Sequence, residues 1–377
     1  MAWPDGGAGL HVLMTADAVG GVWQYALDLS DGLRAHDVKT TIAVLGPPPS
    51  ADQQVAAEAM GATLVMTGLP LDWTAQAPHE VEEAGEAIAR LAARLRPDLI
   101  HLNSPALAAR AVFDAPVVAV CHSCVATWWQ AVKCGRLPEE FVWRTELVRR
   151  GYASAGRLLA PTLAFARTTA KVYELPQVPS VVRNGRRLAP LSASMPDGDF
   201  VFTAGRLWDE GKNFAGIDRL ASRLPISVLA AGSVRGPNGA TAQAVHARVL
   251  GQLSDMDVTR YLSAKPIFVS PARYEPFGLA VLEAAQMECA LILSDIPTFR
   301  ELWEDAALFV DPDDESAVVE ATERLLRDPE TRRALGSAAR VRSESYTIEA
   351  MSAGVLSAYR SLLEPKPSRS PLEGAAA

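Results

Sequence analysis

The sequence predicts an α/β protein built from two parallel β-sheets, each covered by helices on both faces. Short, nearly all-apolar segments alternate with amphipathic helical patterns along the chain, as in buried parallel sheets. The alternation is interrupted once, by a turn-rich and polar stretch over Leu175–Leu188. Because 377 residues exceed the size of one typical core, we expect two domains.

The first run opens with a predicted strand at Leu10–Thr15, which leads through Gly20-Gly21 into a helical pattern that ends near Arg34. Amphipathic helical patterns separate several of the strands that follow. Those strands are predicted at Thr41–Leu45, Thr63–Met66, Leu99–Leu102, Val117–Val120 and Leu158–Ala160.

The polar stretch continues into Arg183-Asn184-Gly185-Arg186-Arg187, which is typical of an interdomain hinge. We therefore predict an N-terminal domain over residues 1–183 and a C-terminal domain over residues 184–346. Two Rossmann-like halves facing each other would bind ligands in a cleft at the carboxyl ends of their strands. The strands of the second half are predicted at Phe200–Ala204, Ile226–Ala231, Ile267–Ser270, Ala290–Ser294 and Ala307–Val310.

Composition narrows the class of protein. The net charge of −8 argues against nucleic acid as the main partner. No apolar run reaches membrane-spanning length, and the first residues lack the regions of a signal peptide. Four cysteines are too few for a disulfide framework in a chain of this size, which favours a reducing compartment. The sequence predicts a cytoplasmic protein with at most peripheral contact with the inner membrane face.

The most informative segment runs from Glu275 to Glu283. A turn with Pro276 and Gly278 separates the first glutamate from a helix that carries the second glutamate one to two turns in. Two carboxylates at this spacing can hold the hydroxyl groups of two sugars, while the amides at the helix start face an anion. Binding of a sugar nucleotide requires this arrangement. The alternative, from these residues alone, is a buried helix with a capping glutamate.

Two cations follow the first strand of the second half. Arg206 lies at the strand end and Lys212 near the next helix start, so both are expected above the sheet, where they can neutralise a diphosphate leaving group. Solvated surface cations are the alternative. The segment is not a Walker A loop, because Asn213 replaces the Ser or Thr that would hold magnesium.

Two features of the first half point to the same cleft. Gly20-Gly21 lies where the first strand turns into the first helix and permits close approach of a ligand to the backbone. His122 follows the strand Val117–Val120, where it can exchange protons or hydrogen-bond a sugar; a structural histidine is the alternative. No G-x-G-x-x-G motif supports a nicotinamide or flavin.

No metal or cofactor is predicted. Cys121 and Cys124 form a C-x-x-C, but no second pair completes a zinc site and the thioredoxin context is missing. Asp255 and Asp257 are explained better as aspartates early in a helix than as a metal motif. Aromatic rings beside a cleft stack on sugars, so we expect the pair Trp128-Trp129 to line the acceptor side.

These motifs resemble those of the retaining glycosyltransferases of the GT4 type. The segment from Glu275 to Glu283 is similar to their E-x7-E motif, in the form E-P-F-G-L-x-x-x-E. The segment around Arg206 resembles their G-R-L-x-x-x-K-G pattern, with Gly and Lys exchanged in order. Gly20-Gly21 matches their N-terminal glycine loop, and His122 matches a histidine that contacts the transferred sugar. The resemblance is dense over residues 200–310 and thinner over the first domain.

The resemblance implies a GT-B fold, with the nucleotide sugar on the C-terminal domain and the acceptor on the N-terminal one. A C-terminal helix, at about residues 347–364, would cross back onto the first domain. Residues 365–377 are expected to be a disordered tail, because they are rich in proline, serine and small residues. The implied reaction is metal-independent, retaining transfer from a nucleotide diphosphate sugar, with UDP or GDP expected, to a hydroxyl of a saccharide, lipid-linked sugar or small molecule.

The resemblance also assigns roles. Glu283 would hold the ribose, Glu275 the donor sugar, and Leu253 would lie beside the base. The implied catalytic residues are His122, Glu275, Arg206 and Lys212. The implied donor-binding residues are Gly20, Gly21, Arg206, Lys212, Leu253, Glu275, Phe277, Gly278, Leu279 and Glu283.

Three other functions would use the same cleft. A GT-B sugar phosphorylase and a nucleotide-sugar epimerase replace the acceptor by phosphate or water. A non-catalytic sugar-nucleotide-binding protein is the alternative of a different class. The four charged residues Glu275, Glu283, Arg206 and Lys212 argue against a decayed site, because only chemistry needs all of them. The sequence predicts no particular oligomeric state.

Overall fold

A computed structural model of the chain describes residues 9–133, 135–188, 190, 195 and 198–364. The predicted α/β class and its two parallel sheets are confirmed. Among the described residues, no helix is both long and apolar enough to cross a membrane. The predicted disordered tail over residues 365–377 lies outside the described residues.

The first sheet contains the strands β1 (Leu10–Asp17), β2 (Val38–Leu45), β3 (Ala62–Met66), β4 (Leu99–Leu102), β5 (Val117–Val120), β6 (Arg157–Ala160) and β7 (Ser180–Val181). They lie in the order β3-β2-β1-β4-β5-β6-β7, and neighbours are parallel. Strand order therefore reverses between β1 and β4, the switch point at which such sheets bind ligands. The helices of this half are α1 (Gly21–Arg34), α2 (Ala51–Ala59), α3 (Pro78–Leu95), α4 (Val125–Val132), α5 (Glu139–Ser154) and α6 (Leu163–Val172).

The second sheet contains β8 (Phe200–Ala204), β9 (Ser227–Ala231), β10 (Arg248–Gly251), β11 (Ile267–Ser270), β12 (Ala290–Ser294) and β13 (Leu308–Val310). Its order, β10-β9-β8-β11-β12-β13, puts a second switch point between β8 and β11. The remaining helices are α7 (Phe214–Ala221), α8 (Asp255–Leu262), α9 (Leu279–Gln286), α10 (Pro297–Trp303), α11 (Glu315–Arg327), α12 (Pro329–Ser343) and α13 (Ile348–Leu363).

Two short strands were not predicted, β7 and β10. Each lies at the edge of its sheet and carries mostly exposed or half-buried residues. An edge strand pairs on one side only and needs no continuous apolar run, so its sequence gives a weak signal. The central strands, which are buried on both faces, were predicted within a few residues of their ends.

The last helix, α13, returns to the first half and packs against α1. Met351, Val355 and Tyr359 are buried in the core between α1 and the first sheet. The Tyr359 hydroxyl also lies 2.7 Å from His101 Nδ1 on β4. The predicted helix over Ile348–Leu363 is confirmed. The domain boundaries at residues 183 and 346 stay predictions.

Part of the segment predicted as a hinge is buried. Asn184 and Arg186 are buried, and the Gly185 amide donates to Met351 Sδ at 3.2 Å. A Cβ on Gly185 would lie 2.1 Å from the carbonyl oxygen of Thr347, so a side chain does not fit there. The polar residues of this segment therefore form contacts between the halves.

Candidate functional site

The glycine loop after β1 lies against the second half of the molecule. A Cβ on Gly20 would lie 3.6 Å from Arg206 Cδ, and one on Gly21 would lie 3.5 Å from Leu279 Cδ1. Gly205 separates Arg206 from the end of β8, and Leu279 begins α9. The carboxyl ends of the two sheets therefore meet here, and the absence of side chains on the loop leaves backbone accessible to a ligand.

Lys212 and Glu275 form an ion pair between Nζ and Oε2, and both side chains are largely buried. Lys212 ends a short 3₁₀ turn, and Asn213 follows in the left-handed conformation at φ 55° before α7 begins. The Asn213 side-chain amide donates to the carbonyl oxygens of Pro271 and Pro312, at 3.1 and 2.8 Å. These bonds fix the turn, so Lys212 reaches Glu275 despite the exchanged order of Gly and Lys.

Asp209 holds the loop that carries Arg206, and the sequence analysis did not single it out. Its carboxylate accepts hydrogen bonds from the Gly211 amide at 2.9 Å and from Arg206 Nη2 at 3.1 Å. It also accepts one from the indole nitrogen of Trp128 on α4, at 2.9 Å. Asp209 thus fixes Arg206 and ties the loop to the first half. An aspartate three residues after Arg206 was the signal available in the sequence.

The expectation that Trp128-Trp129 lines the acceptor side stays a prediction. The indole NH of Trp128 is occupied by Asp209, and Trp129 packs against Phe141 with ring centroids 5.6 Å apart. Trp73 of the first half and Trp208 of the second stack across the cleft, with centroids 6.2 Å apart and an interplanar angle of 18°. Both rings are half-buried, and the guanidinium of Arg206 lies 5.6 Å from the centre of the Trp208 ring.

The turn before α9 is fixed from both halves. Thr298 Oγ1 donates to the Glu275 carbonyl at 2.7 Å, and Thr162 Oγ1 of the first half donates to the Pro276 carbonyl at 3.0 Å. Gly278 has φ 92°, and a Cβ there would lie 3.1 Å from the Phe299 ring. The side chain of Phe277 is buried in the core. Phe277 and Gly278 can therefore contact a ligand through backbone atoms only. The first amides of α9 have no hydrogen-bond partners within the helix, so they can donate to an anion.

Glu283 lies in the second turn of α9 and contacts Arg186. Its Oε1 accepts a hydrogen bond from Arg186 Nε at 2.6 Å. Burial raises the pKa of Glu283, and the neighbouring guanidinium opposes that shift. The sequence analysis placed Arg186 only in the hinge, because nothing local indicates that it meets a residue almost a hundred positions away.

His122 is held in one orientation at the end of β5. Asn103 donates its amide to the Thr15 carbonyl at 2.8 Å, so its oxygen must accept from His122 Nε2, also at 2.8 Å. The ring packs edge-on against Tyr25, with centroids 4.5 Å apart. Burial, with a smaller contribution from His101, lowers the pKa of His122 to about 3. His122 is therefore neutral, with Nδ1 as a hydrogen-bond acceptor.

We expect His122 to contribute no ionisation to the pH profile of activity between pH 5 and 8. Its pKa of about 3 means that acid protonates it only well below this range. His122→Gln should lower kcat/KM about tenfold, the value of one or two hydrogen bonds, and leave the shape of the profile unchanged. An inflection between pH 5 and 8 that disappears in His122→Gln would contradict this assignment.

The remaining predicted features lie as follows. Leu253 is half-buried between β10 and the start of α8. Asp255 and Asp257 lie in the first turn of α8, as expected, and Asp257 bonds the capping residue Ser254. Cys121 and Cys124 are free thiols, and burial raises the pKa of Cys121 to about 12. In the described part of the chain, no group of three or more His, Cys, Asp or Glu is placed to hold a metal ion.

Two family models match the chain. Residues 19–189 match the model described as Glycosyltransferase Family 4, and residues 240–342 match the model described as Glycosyl transferases group 1. The second match contains the segment from Glu275 to Glu283, and the first contains Gly20-Gly21 and His122.

Curated proteins with similar sequences include bacterial sugar-transferring enzymes. Glycogen synthase of Mycobacterium tuberculosis is 27% identical over 328 residues, 78% of this chain and 78% of that protein. O-antigen chain mannosyltransferase C of Escherichia coli is 25% identical over 282 residues, 71% of this chain and 73% of that protein. The match to O-antigen chain mannosyltransferase B of Escherichia coli is 29% identical and spans 30% of each chain.

Solved structures show the same fold along nearly the whole chain. Sucrose-phosphate synthase from Thermosynechococcus elongatus superposes with a TM-score of 0.76 at 18% identity, covering 94% of this chain and 99% of that one. HepE from Anabaena, solved in complex with UDP-glucose, has a TM-score of 0.71 at 15% identity and covers 94% of this chain and 100% of its own. At these identities the likeness concerns the fold.

Proposed function

Because the chain belongs to the group 1 glycosyltransferases of the GT4 type and has the GT-B fold, we propose that it is a retaining, metal-independent enzyme. It moves a sugar from a UDP-sugar or GDP-sugar to a hydroxyl group of a saccharide, a lipid-linked sugar or a small molecule. The observation that carries the proposal is the convergence of Arg206, Lys212 and Glu275 opposite the glycine loop.

The donor half of the site is supplied by the second sheet. Arg206 and Lys212 neutralise the diphosphate, and the first amides of α9 add hydrogen-bond donors. Glu275, held beside Lys212, accepts hydrogen bonds from the transferred sugar, and Glu283 accepts them from the ribose. The UDP-glucose bound by HepE, which shares the fold, supports a nucleotide sugar as the donor.

The first sheet supplies the acceptor side. Gly20-Gly21 allows the acceptor to approach the donor phosphate, and Nδ1 of His122 accepts a hydrogen bond from a sugar hydroxyl. Trp73 and Trp208 offer an apolar surface for the face of a ring. The stacked rings of Trp73 and Trp208 and the Trp128–Asp209 hydrogen bond join the two halves at the cleft. These contacts favour exclusion of water from the bound substrates.

The proposed reaction is a front-face displacement. The acceptor oxygen bonds to the anomeric carbon on the face from which the diphosphate leaves, and its proton passes to the departing phosphate oxygen. No protein residue forms a covalent bond to the sugar, and the configuration is retained. Arg206 and Lys212 stabilise the charge that develops on the diphosphate, so rate comes from positioning and electrostatics. These two cations take the place of a metal ion in the proposal.

The location we propose follows from composition. An acidic chain with few cysteines suits the cytoplasm, with at most peripheral contact with the membrane.

The first test is thermal stabilisation by UDP-, GDP-, ADP- and dTDP-sugars, with and without EDTA. A ligand that binds the folded state raises the Tm by linkage. We expect one nucleotide class to raise the Tm with EDTA present, and the shift to disappear in Glu283→Ala. A shift that EDTA abolishes would contradict metal independence, and no shift with any sugar nucleotide would contradict the donor site.

The second test separates a transferase from the other enzymes that use this cleft. A transferase releases nucleoside diphosphate at a substantial rate only when an acceptor is added, whereas an epimerase or a phosphorylase does not depend on a hydroxyl acceptor. The anomeric proton coupling of the product, measured by NMR, reports retention directly. An inverted product would overturn the proposed displacement.

A further inference from the structure

Arg186 is a buried cation shared by three carboxylates. Its side chain is 3% exposed, and its Nε and Nη2 donate to Glu283 Oε1 at 2.6 Å and to Asp255 Oδ2 at 2.8 Å. Its Nη1 lies 3.4 Å from Asp28 Oδ2. The backbone is held as well, because Gln286 donates to the Arg186 carbonyl at 2.7 Å. A planar guanidinium with three separate partners fixes the orientation of each of them.

The contact leaves one oxygen of Glu283 available. Arg186 occupies Oε1, and Oε2 accepts no hydrogen bond from the described residues. The Glu283 side chain is 14% exposed, so a ligand in the cleft can reach it. A carboxylate with one oxygen fixed by a guanidinium and the other free is oriented in advance for a hydroxyl donor.

Asp28 brings the first half of the molecule into this cluster. It lies on α1, whereas Glu283 lies on α9 and Asp255 on α8. Arg186 therefore connects the helix that begins at the glycine loop with the helix of the E-x7-E motif. Apart from these charged groups, Gln24 of α1 is the polar side chain that faces Asp28.

We propose that Arg186 is a positioning residue that orients Glu283 toward the donor ribose, and that Asp28 couples this orientation to the packing of the two halves. The inference rests on the proposed function, in which Glu283 binds the ribose. It assigns a role to a residue that the sequence placed only in the predicted hinge.

The positive charge of Arg186 acts on the pKa of Asp28. Burial raises the pKa of Asp28 to about 7, against the opposing effect of Arg186. The folded-state pKa lies above that of an unfolded chain, so the contribution of Asp28 to stability is fully present below about pH 4 and is lost as the pH rises through about 7.

The test compares binding of ribose-containing and ribose-modified ligands. The probes are UDP and GDP, each with its 2′,3′-dideoxy analogue, and the readout is the ratio of their Kd values by calorimetry. A hydroxyl contact to the free oxygen of a charged acceptor predicts a ratio of roughly 30 in the wild type. Arg186→Lys keeps the positive charge but loses the planar fork, and should lower the ratio below about 5 while binding of the dideoxy analogue changes little.

The matched control is the same substitution at the neighbouring arginine, Arg187. Arg187→Lys alters an exposed arginine that pairs with Asp31 and Glu349, and should leave the ratio unchanged. Asp28→Asn keeps Arg186 in place and weakens one of its contacts, so it should lower the ratio about threefold; an unchanged ratio would overturn the coupling to the first half. This variant also carries the test if Arg186→Lys does not fold.

Glu283→Ala separates the two possible failures. If Glu283→Ala abolishes discrimination and Arg186→Lys retains it, the positioning role is wrong and the proposed function stands. If Glu283→Ala retains discrimination, the ribose assignment itself is wrong. A purely structural role for Arg186 would weaken UDP and its dideoxy analogue equally, and that result would overturn the inference as well.

Discussion

Replacement of both Arg206 and Lys212 by alanine is expected to lower kcat by about 10³-fold or more, with nucleoside binding largely retained. Removing a single preorganised donor from a developing negative charge costs roughly 10²–10³-fold, and here both cations beside the leaving diphosphate are removed. Neither side chain belongs to a hydrophobic core, so the fold should persist. The measurement is kcat with saturating donor and acceptor, together with the Kd of the free nucleoside.

The control for this variant is Arg219→Ala. Arg219 is 56% exposed and pairs with Glu315 on the surface of the second half, so its loss should leave kcat unchanged. The single variants Arg206→Ala and Lys212→Ala separate the contributions of the two cations to kcat. Each cation has its own partner, because Arg206 pairs with Asp209 and Lys212 pairs with Glu275. Wild-type turnover in the double variant would refute the diphosphate assignment.

Glu275→Gln is expected to lower kcat by roughly 10²-fold while the Kd of the nucleoside diphosphate changes little. The substitution conserves shape and removes the negative charge of Glu275, so the proposed hydrogen bonds to the transferred sugar are weakened. The Glu275 backbone stays fixed, because Thr298 bonds its carbonyl and not its side chain. The affected interaction is therefore one made with the transferred sugar.

The matched control is Glu315→Gln, which breaks a pair with Arg219 away from the cleft and should be silent. The kinetic measurement compares kcat and KM for donor in both variants. A rise in donor KM without any fall in kcat would mean that Glu275 contributes only uniform binding. A variant with wild-type kinetics would exclude Glu275 from the site.

The sequence alone predicted the parts of this protein whose signal is local. Central strands such as Val117–Val120 are apolar throughout because both their faces are buried, and this pattern survives without any knowledge of neighbours. The signal of the segment from Glu275 to Glu283 is the fixed spacing of two glutamates, one in a turn and one in the helix that follows it. Parallel strands place the residues that follow them at a common edge, so the sequence predicted that Gly20 and Arg206 each lie at the carboxyl edge of their own sheet.

Other features depended on residues distant in the chain. The sequence placed Arg186 in the predicted hinge. In the structure it is buried, because carboxylates from α1, α8 and α9 converge on it. Asp209 and Trp128 meet across the cleft, and Trp208 pairs with Trp73 rather than with another first-half ring. The sequence could not predict that the indole NH of Trp128 donates a hydrogen bond to Asp209, because the two residues are distant in the chain.

The division has a physical reason. Strand and helix patterns, turn glycines and the E-x7-E spacing are set by backbone geometry within a few residues, so the sequence by itself determined the class, the order of elements and the charged groups of the site. The packing of the two sheets decides which charged groups form ion pairs. A guanidinium can pair with any carboxylate that lies within about 3 Å of it, so the sequence alone does not specify the partner. The tertiary structure therefore decided that Lys212 pairs with Glu275, that Asp209 holds Arg206 and that Arg186 holds Glu283.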